Sequence, residues 1–387
     1  MLRLAAPRSL ATAPGEANEY FYEPKGVAAI IAPWNFPLAI GCGMSAAAIV
    51  AGNPVIYKPS NYTPVVGHTL AQIFREADLQ PGVFNYLPGR SRVMGDILVE
   101  HPQVSLIAFS GSMEAGLHII ETAGRTRPDQ GSVKKVIAEM GGKNAIIVDD
   151  DADLDEAVPG VMRSAFGYQG QKCSACSRAI VVEAIYDRFL ERLLDCARSV
   201  HIGPAEDPAC FMGPLIDRST QARVMEYIAL AREEGRLAFS STVPDGHGFY
   251  VPLTIATEVP YDHRLAQDEI FGPVLSVLRA RDFEQALAWA NATRFALTGG
   301  IFSRTPSHID RCRRDFRVGN LYINRGTTGA IVGRQPFGGF RMSGVGSKAG
   351  GPDYLLQFLD ARVVTENTMR RGFVPFEELS ATEIAQG

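Results

Sequence analysis

The sequence predicts an α/β fold in which a doubly wound parallel sheet is followed by a second α/β unit. A chain of 387 residues exceeds what a single hydrophobic core usually supports. Short, uninterrupted apolar runs are typical of strands buried on both faces, and helical patterns separate these runs. Strands that alternate with helices of this length indicate a parallel sheet with helices packed on both faces.

Five predicted strands account for the first unit. They are 26–32, 55–57, 83–87, 104–109 and 136–138. Between them, an alanine-rich helix reaches Gly52, residues 65–77 read as a second helix, and another begins after Gly111. Because open α/β sheets bind ligands beyond the carboxyl ends of their strands, we expect functional residues just after these runs.

The same alternation begins again after residue 140 and predicts a second sheet. The predicted elements are strand 144–148, helix 154–168, strand 178–182, a helix with one apolar face from Ile185 to Ala197, strand 321–324 and an extended segment over 354–367. No internal repeat or low-complexity segment interrupts them.

The composition excludes several function classes. A net charge of −4 without any block of like charge gives no electrostatic case for nucleic acid. No apolar run approaches the ~20 residues needed to cross a bilayer. The six cysteines are scattered and form no disulfide framework, which favours a reducing compartment.

One stretch has the composition of a nucleophile site. Cys173 lies in F-G-Y-Q-G-Q-K-C-S-A-C-S-R, where glycines and small residues allow close backbone approach to a reactive thiolate. Cys176 gives the stretch C-x-x-C spacing, but no second cysteine or histidine pair completes a zinc site, so we expect no metal. Cys176 is read as a small packing residue.

A second stretch, E-M-G-G-K-N, begins with Glu139 directly after an apolar strand. Together the two stretches resemble the aldehyde dehydrogenase superfamily, which pairs E-[LMT]-G-G-K with a downstream Gly-Gln-x-Cys. The residues around Cys173 resemble the 1-pyrroline-5-carboxylate dehydrogenase branch, and the resemblance covers about residues 18–375. It implies oxidation of L-glutamate γ-semialdehyde to L-glutamate, the second step of proline breakdown, with NAD as the cofactor.

The chemistry of aldehyde oxidation assigns roles to three residues. Cys173 is the expected nucleophile, which forms a thiohemiacetal and then a thioester. Asn35, in P-W-N-F-P after the first strand, would donate a side-chain N–H to the oxyanion together with the Cys173 backbone N–H. Glu139 is the expected general base that activates water to hydrolyse the thioester.

The first βα turn of the sequence lacks the G-x-G-x-x-G fingerprint of dinucleotide binding. Gly111-x₄-Gly116 opens a helix instead, and free N–H groups at a helix N-terminus suit a pyrophosphate. The resemblance implies that the cofactor is bound by Trp34, Lys58, Ser60, Gly111, Ser112, Glu269 and Phe271.

One departure from the family pattern concerns cofactor choice. Where the family usually has a glutamate that binds the adenosine ribose hydroxyls, this chain has Asn61 after Lys58-Pro59-Ser60. Because a missing carboxylate no longer repels a 2′-phosphate, we expect weaker preference for NAD and some tolerance of NADP.

The resemblance also implies the substrate contacts. The α-carboxylate of glutamate semialdehyde would be bound by Ser174 and by the backbone N–H groups of Gly329 and Ala330, and the rings of Phe36 and Phe337 would enclose its aliphatic chain.

The implied organisation has four segments. They are an oligomerisation flap or linker (1–22), an N-terminally incomplete NAD-binding domain (23–139), a catalytic domain (140–350) and a C-terminal oligomerisation strand and tail (351–387). About 150 residues that precede this region in family members are expected to be missing, which would leave an apolar face of the cofactor domain uncovered.

Residues 1–15 lack acidic side chains and resemble a transit peptide, but similar residues precede P-W-N-F in family members. We therefore predict a cytoplasmic homo-oligomer, a dimer or larger. Two alternatives stay open: a dehydrogenase of another aldehyde, and a truncated product that is non-catalytic or depends on a partner.

Overall fold

The computed structural model describes Leu4 and residues 6–369. The strands in chain order are β1 (Arg8–Ser9), β2 (Glu16–Pro24), β3 (Val27–Ile31), β4 (Val55–Lys58), β5 (Phe84–Tyr86), β6 (Val104–Ser110), β7 (Lys135–Glu139), β8 (Asn144–Val148), β9 (Cys176–Val182), β10 (Leu237–Ser240), β11 (Thr254–Ala256), β12 (Val274–Ala280), β13 (Phe295–Ala296), β14 (Thr298–Phe302), β15 (Asn320–Ile323), β16 (Phe340–Arg341), β17 (Gly344–Val345) and β18 (Leu359–Asn367). The helices are α1 (Pro37–Val50), α2 (Pro64–Glu76), α3 (Ser91–Glu100), α4 (Met113–Gly124), α5 (Leu154–Phe166), α6 (Glu183–Arg198), α7 (Arg218–Glu233), α8 (Arg264–Gln267), α9 (Phe283–Asn291) and α10 (Pro306–Asp315). Two 3₁₀ turns span Gly167–Gly170 and Leu355–Phe358.

The first sheet confirms the predicted doubly wound architecture. Its strand order is β17-β7-β6-β3-β4-β5, and all neighbours are parallel except β17, which runs antiparallel to β7. Successive side chains of β3 point to opposite faces, so Ala28 and Ile30 enter one core and Ala29 enters the other. Helices cover both faces, which explains the uninterrupted apolar runs.

The second sheet has the order β10-β11-β12-β9-β8-β14-β15 and is parallel apart from β10. Strand β8 is buried along its whole length, with Ile146 and Val148 in one core and Ala145 and Ile147 in the other. The predicted strand 144–148 is confirmed to the residue.

The two sheets face each other through the ends of their strands. Strand β7 ends at Glu139 and β8 begins at Asn144, so the carboxyl edge of the first sheet faces the amino edge of the second. Cys173 lies just before β9 and therefore on that amino edge. This arrangement places residues that follow strands of the first sheet against residues that precede strands of the second.

A third, antiparallel sheet has the order β1-β2-β18, and β18 pairs with β2 along nine residues from Leu359 to Asn367. The extended segment predicted from 354 thus begins with a 3₁₀ turn and becomes a strand at Leu359. Parts of the predicted terminal segments, residues 1–3, 5 and 370–387, lie outside the described residues. The predicted domain boundaries stay predictions.

Two details of the sequence interpretation were wrong. The helix predicted over 154–168 ends at Phe166, because the next residues take left-handed and 3₁₀ conformations. Helix α3 was not predicted at all. Among Leu4 and residues 6–369, no helix combines the length and apolar character that a membrane span requires.

Candidate active site

The nucleophile loop is positioned by a tight left-handed turn. After α5, Tyr168 and Gln169 have φ angles of 60° and 57°, and Gly170 follows at 66°. A Cβ at Gly170 would lie 2.5 Å from the carbonyl oxygen of Gly272, so only glycine fits there. Because non-glycine residues pay a conformational cost in this region, such turns persist where surrounding structure imposes them, often at functional sites.

Cys173 lies at the end of this turn with a partly exposed side chain and a free thiol. Burial, followed by the negative charges of Glu269 and Glu139, raises the pKa of the Cys173 thiol to about 12. The backbone N–H groups of Ser174 and of Cys173 itself act in the opposite direction. The thiol is therefore neutral at rest, and its reaction requires a base that accepts the proton.

Glu139 ends strand β7 and has the properties of a general base. Burial raises its pKa to about 8, partly offset by a hydrogen bond from the Gly339 backbone and by the charge of Lys348. Its Oε2 atom is buried and has no hydrogen-bond partner among the described residues. A carboxylate with one free oxygen and a pKa near neutrality suits general base catalysis.

Gly338 lies directly against this carboxylate, since a Cβ there would lie 2.6 Å from Glu139 Oε1. Lys348 fixes the same loop by donating from Nζ to the carbonyl oxygens of Gly338 and Gly319, at 2.5 Å and 2.7 Å. The backbone around Glu139 is thus held by a half-buried lysine that sequence analysis did not single out.

Asn35 reaches across from the first sheet to the nucleophile loop. Its Nδ2 atom donates to the Gln171 carbonyl at 3.0 Å, and its Oδ1 atom accepts from the Phe36 N–H at 3.1 Å. Tyr168 Oη in turn donates to the Asn35 carbonyl at 2.8 Å. A side-chain amide carries two donor hydrogens, so the bond to Gln171 leaves one for another acceptor.

Glu269 lies on the glycine pair that follows Glu139. Its Oε1 atom accepts from the Gly142 N–H at 2.9 Å, and a Cβ at Gly141 would lie 2.0 Å from Oε2. Burial raises the pKa of Glu269, while the Gly142 N–H and the charges of Lys143 and Arg223 lower it. Gly141 therefore lies against this carboxylate, whereas a Cβ at Gly142 would lie 2.7 Å from Asn144 Oδ1 and 2.9 Å from the Cys173 carbonyl oxygen.

The aromatic residues predicted to bind the cofactor do come together. The rings of Trp34 and Phe271 make an edge-to-face contact with centroids 5.8 Å apart. Phe271 has a φ of 55°, and Arg223 supports this segment by donating to the Ile270 carbonyl at 2.7 Å. The contact joins a loop of the first sheet to one of the second.

The remaining cofactor candidates lie on the carboxyl edge of the first sheet. Ser112 caps α4 by accepting from the Ala115 N–H at 3.2 Å, which leaves the first N–H groups of the helix available to an anion. A Cβ at Gly111 would lie 2.5 Å from the Phe109 ring, so this turn requires glycine.

Lys58 is buried, and its Nζ atom donates to the Pro59 carbonyl at 3.0 Å. Desolvation lowers the Lys58 pKa. Ser60 Oγ accepts from the Tyr62 N–H at 3.3 Å. A helix N-terminus, a buried amine with spare donors, an aromatic pair and a buried carboxylate together fit a dinucleotide with two ribose groups.

The structure gives the local contacts of the predicted substrate residues, and their joint role stays a prediction. Ser174 is buried beside the nucleophile, and Gly329 has the left-handed φ of 82° in a loop that continues to Ala330. Phe36 stacks on Tyr168, with ring centroids 5.4 Å apart. Phe337 is fixed through its backbone, which pairs with Ala349 at 2.9 Å and 2.7 Å.

Comparison with known proteins agrees with this geometry. Residues 1–364 match the sequence model of the aldehyde dehydrogenase family. The chain is 49% identical over 366 residues to the 1-pyrroline-5-carboxylate dehydrogenase of Geobacillus thermodenitrificans. The aligned region covers 95% of this chain and 71% of that protein. The Bacillus subtilis enzyme of the same name is 46% identical over the same shares.

Solved structures give the same result. The 1-pyrroline-5-carboxylate dehydrogenase from Thermus with bound NAD superposes with a TM-score of 0.92 at 48% identity, covering 95% of this chain and 71% of that one. Proline utilization A from Bdellovibrio bacteriovorus superposes with a TM-score of 0.94 at 53% identity, covering 97% of this chain but 39% of that longer one. The chain therefore belongs to the aldehyde dehydrogenase family.

Proposed function

We propose that the protein oxidises L-glutamate γ-semialdehyde, which forms from 1-pyrroline-5-carboxylate, to L-glutamate while reducing NAD or NADP. One observation carries the proposal: Asn35 of the first sheet donates to the Gln171 carbonyl two residues before Cys173, and Glu139 and Glu269 are both near enough to raise the pKa of the Cys173 thiol. The similarity to 1-pyrroline-5-carboxylate dehydrogenases supports the choice of substrate.

Acylation begins at Cys173. The Cys173 thiol loses its proton to solvent water, Sγ forms a bond to the aldehyde carbon, and the C=O electron pair moves onto the carbonyl oxygen, which becomes the oxyanion of a thiohemiacetal. Asn35 Nδ2 and the Cys173 backbone N–H are the donors proposed for that oxyanion, and their attraction grows as its charge develops. After the carbon has lost its hydride, Cys173 holds the acyl group as a thioester.

The cofactor site is proposed from the residues that fit it. The free N–H groups at the start of α4 would bind the pyrophosphate, Lys58 the adenosine ribose and Glu269 the nicotinamide ribose. Trp34 and Phe271 would pack near the nicotinamide. When bound, the cofactor supplies the hydride acceptor.

Deacylation is the proposed task of Glu139. Its ionised carboxylate takes a proton from water as the water oxygen attacks the thioester carbon, the C–S bond breaks, and Glu139 passes the proton to the departing sulfur, so that L-glutamate and the Cys173 thiol are released. The unpartnered Oε2 atom provides the acceptor, and a pKa of about 8 keeps the base poised near working pH.

Substrate choice is tested by comparing aldehydes. We expect kcat/KM for glutamate semialdehyde to exceed that for succinate semialdehyde, whose carboxylate lies one carbon closer to the aldehyde, and that for butanal, which has no carboxylate. In both cases the buried donors for the α-carboxylate are left unpaired. Ser174→Ala should raise the KM for glutamate semialdehyde by about tenfold and leave the KM for butanal unchanged. A higher kcat/KM for another aldehyde would favour a different dehydrogenase.

Cofactor choice gives a separate prediction at Asn61. This side chain follows Lys58-Pro59-Ser60 and is exposed. Because a carboxylate at this position would repel a 2′-phosphate, we expect Asn61→Glu to lower kcat/KM with NADP by about tenfold and to retain that with NAD.

Steady-state rates with both cofactors check this expectation, with the neutral Asn61→Gln as the matched control. A strong preference for NAD in the unmodified chain, unaltered by either substitution, would contradict the expectation that Asn61 allows NADP to be used.

A homo-oligomer is proposed from the third sheet. Strand β18 lies on its edge, and Val363 and Val364 expose 55% and 37% of their surfaces. Light scattering of the purified chain measures the assembly, and a monomer at all concentrations would contradict the proposal.

A further inference from the structure

The backbone carbonyls of the nucleophile loop are held by side chains from other parts of the fold. Asn144 Nδ2 donates to the Cys173 carbonyl at 2.7 Å and to the Ala175 carbonyl at 2.8 Å. The amide is itself fixed, since its Oδ1 atom accepts from the Thr298 N–H at 2.9 Å. Asn144 is 3% exposed, so water does not compete for these bonds.

The carbonyl between these two is bound as well. Ser174 O accepts from Thr327 Oγ1 at 3.1 Å and from Thr298 Oγ1 at 3.3 Å. Both threonines are buried, at 0% and 1% exposure. Ala175 N–H donates back to the Lys172 carbonyl at 3.0 Å, which closes the turn.

Peptide planarity converts these bonds into an orientation for the N–H groups. In a trans peptide, the carbonyl of one residue and the N–H of the next point in opposite directions. Binding of the Cys173 carbonyl to Asn144 therefore turns the Ser174 N–H the other way, and that N–H is one of the two backbone N–H groups that lower the pKa of the Cys173 thiol. The other, the Cys173 N–H, belongs to the peptide whose Lys172 carbonyl is bound to Ala175.

We infer that Asn144 is a positioning residue for the nucleophile, whose amide holds the Cys173–Ser174 peptide so that the Ser174 N–H faces the Cys173 sulfur. Thr327 and Thr298 support the same loop through the next carbonyl. The inference rests on the proposed function in taking Cys173 as the nucleophile. It adds a residue that contacts neither substrate nor cofactor and acts through the backbone.

The test measures the reactivity of the thiol directly. Iodoacetamide alkylates a thiolate without needing aldehyde or cofactor, and mass spectrometry of the Cys173 peptide follows its rate against pH. Two carboxylates, Glu269 and Glu139, face this thiol, and both stay in place in all the variants. A shift in the profile therefore reports the N–H groups.

We expect Asn144→Ala to move the alkylation midpoint to higher pH and to slow alkylation at pH 8 by about tenfold, the loss of roughly one hydrogen bond to a charged group. Thr327→Val should give a smaller shift in the same direction, and Thr327→Ser, which keeps the hydroxyl, should restore the original profile. Thr254→Val is the matched control, because it removes a buried hydroxyl of the second sheet that bonds to Pro252.

An unchanged profile in folded Asn144→Ala, or an equal shift in Thr254→Val, overturns the inference. If Asn144→Ala does not fold, the Thr327 pair decides, and a profile of Thr327→Val equal to that of the unmodified chain overturns it. A shifted profile in a chain that oxidises no aldehyde would reject the proposed function and retain the role of Asn144.

Discussion

Replacing Cys173 by alanine is expected to lower NADH formation from L-glutamate γ-semialdehyde by on the order of 10⁴-fold or more, since removal of a covalent nucleophile leaves only binding and oxyanion stabilisation. Alanine retains the Cβ atom and adds no bulk beside Glu269 or Glu139, so the loop keeps its shape. Absorbance of NADH at saturating substrate measures the effect, and cofactor binding by the variant shows that the fold is intact.

The matched control is Cys176→Ala. Cys176 is 1% exposed, and its Sγ atom donates to the Arg178 carbonyl at 3.4 Å, so the thiol serves packing in β9. We expect its activity to stay within a few-fold of the unmodified chain. Loss of turnover in Cys176→Ala together with retention in Cys173→Ala would show that Cys176, and not Cys173, is the nucleophile.

Glu139→Gln is expected to lower the steady-state rate by about 10²–10⁴-fold while a first, stoichiometric burst of NADH remains. The amide fills the same space but cannot accept the proton of the attacking water, so the thioester forms and is not hydrolysed. Rapid mixing with cofactor and aldehyde measures the burst. If Glu139→Gln shows no burst and its first turnover is as slow as the later ones, Glu139 acts in acylation instead.

The same residue sets the pH dependence. Because the base must be ionised and its pKa is raised to about 8, kcat of the unmodified chain should rise as pH increases through about 8. In Glu139→Gln this rise should disappear from the residual rate. A pH profile of kcat that falls over pH 7–9 contradicts the assignment.

Local patterns predicted much of the fold because buried parallel strands are uninterrupted apolar runs. Strand 144–148 is confirmed for that reason, and Asn35 lies after β3 and Glu139 at the end of β7, close to where the strand patterns predict them. The motif around Cys173 suggested a nucleophile, and the structure shows why Gly170 of that motif is needed, since it allows no Cβ.

Contacts between distant parts of the chain were beyond that reasoning. Periodicity does not show that Cys173 lies on the amino edge of a second sheet, nor that Lys348 fixes the loop against Glu139. Asn144 stands inside a motif noted for its glutamate and glycines, but its partners are fixed only when β8 and β9 pair. Phe36 meets Tyr168 because the left-handed turn places that ring there.

The most direct measurement is mass spectrometry of Glu139→Gln quenched after reaction with NAD and L-glutamate γ-semialdehyde. The account predicts that the peptide containing Cys173 carries one glutamyl group, released by hydroxylamine as a thioester should be. An unmodified Cys173 peptide after a burst of NADH, or a glutamyl group on another cysteine, would contradict it.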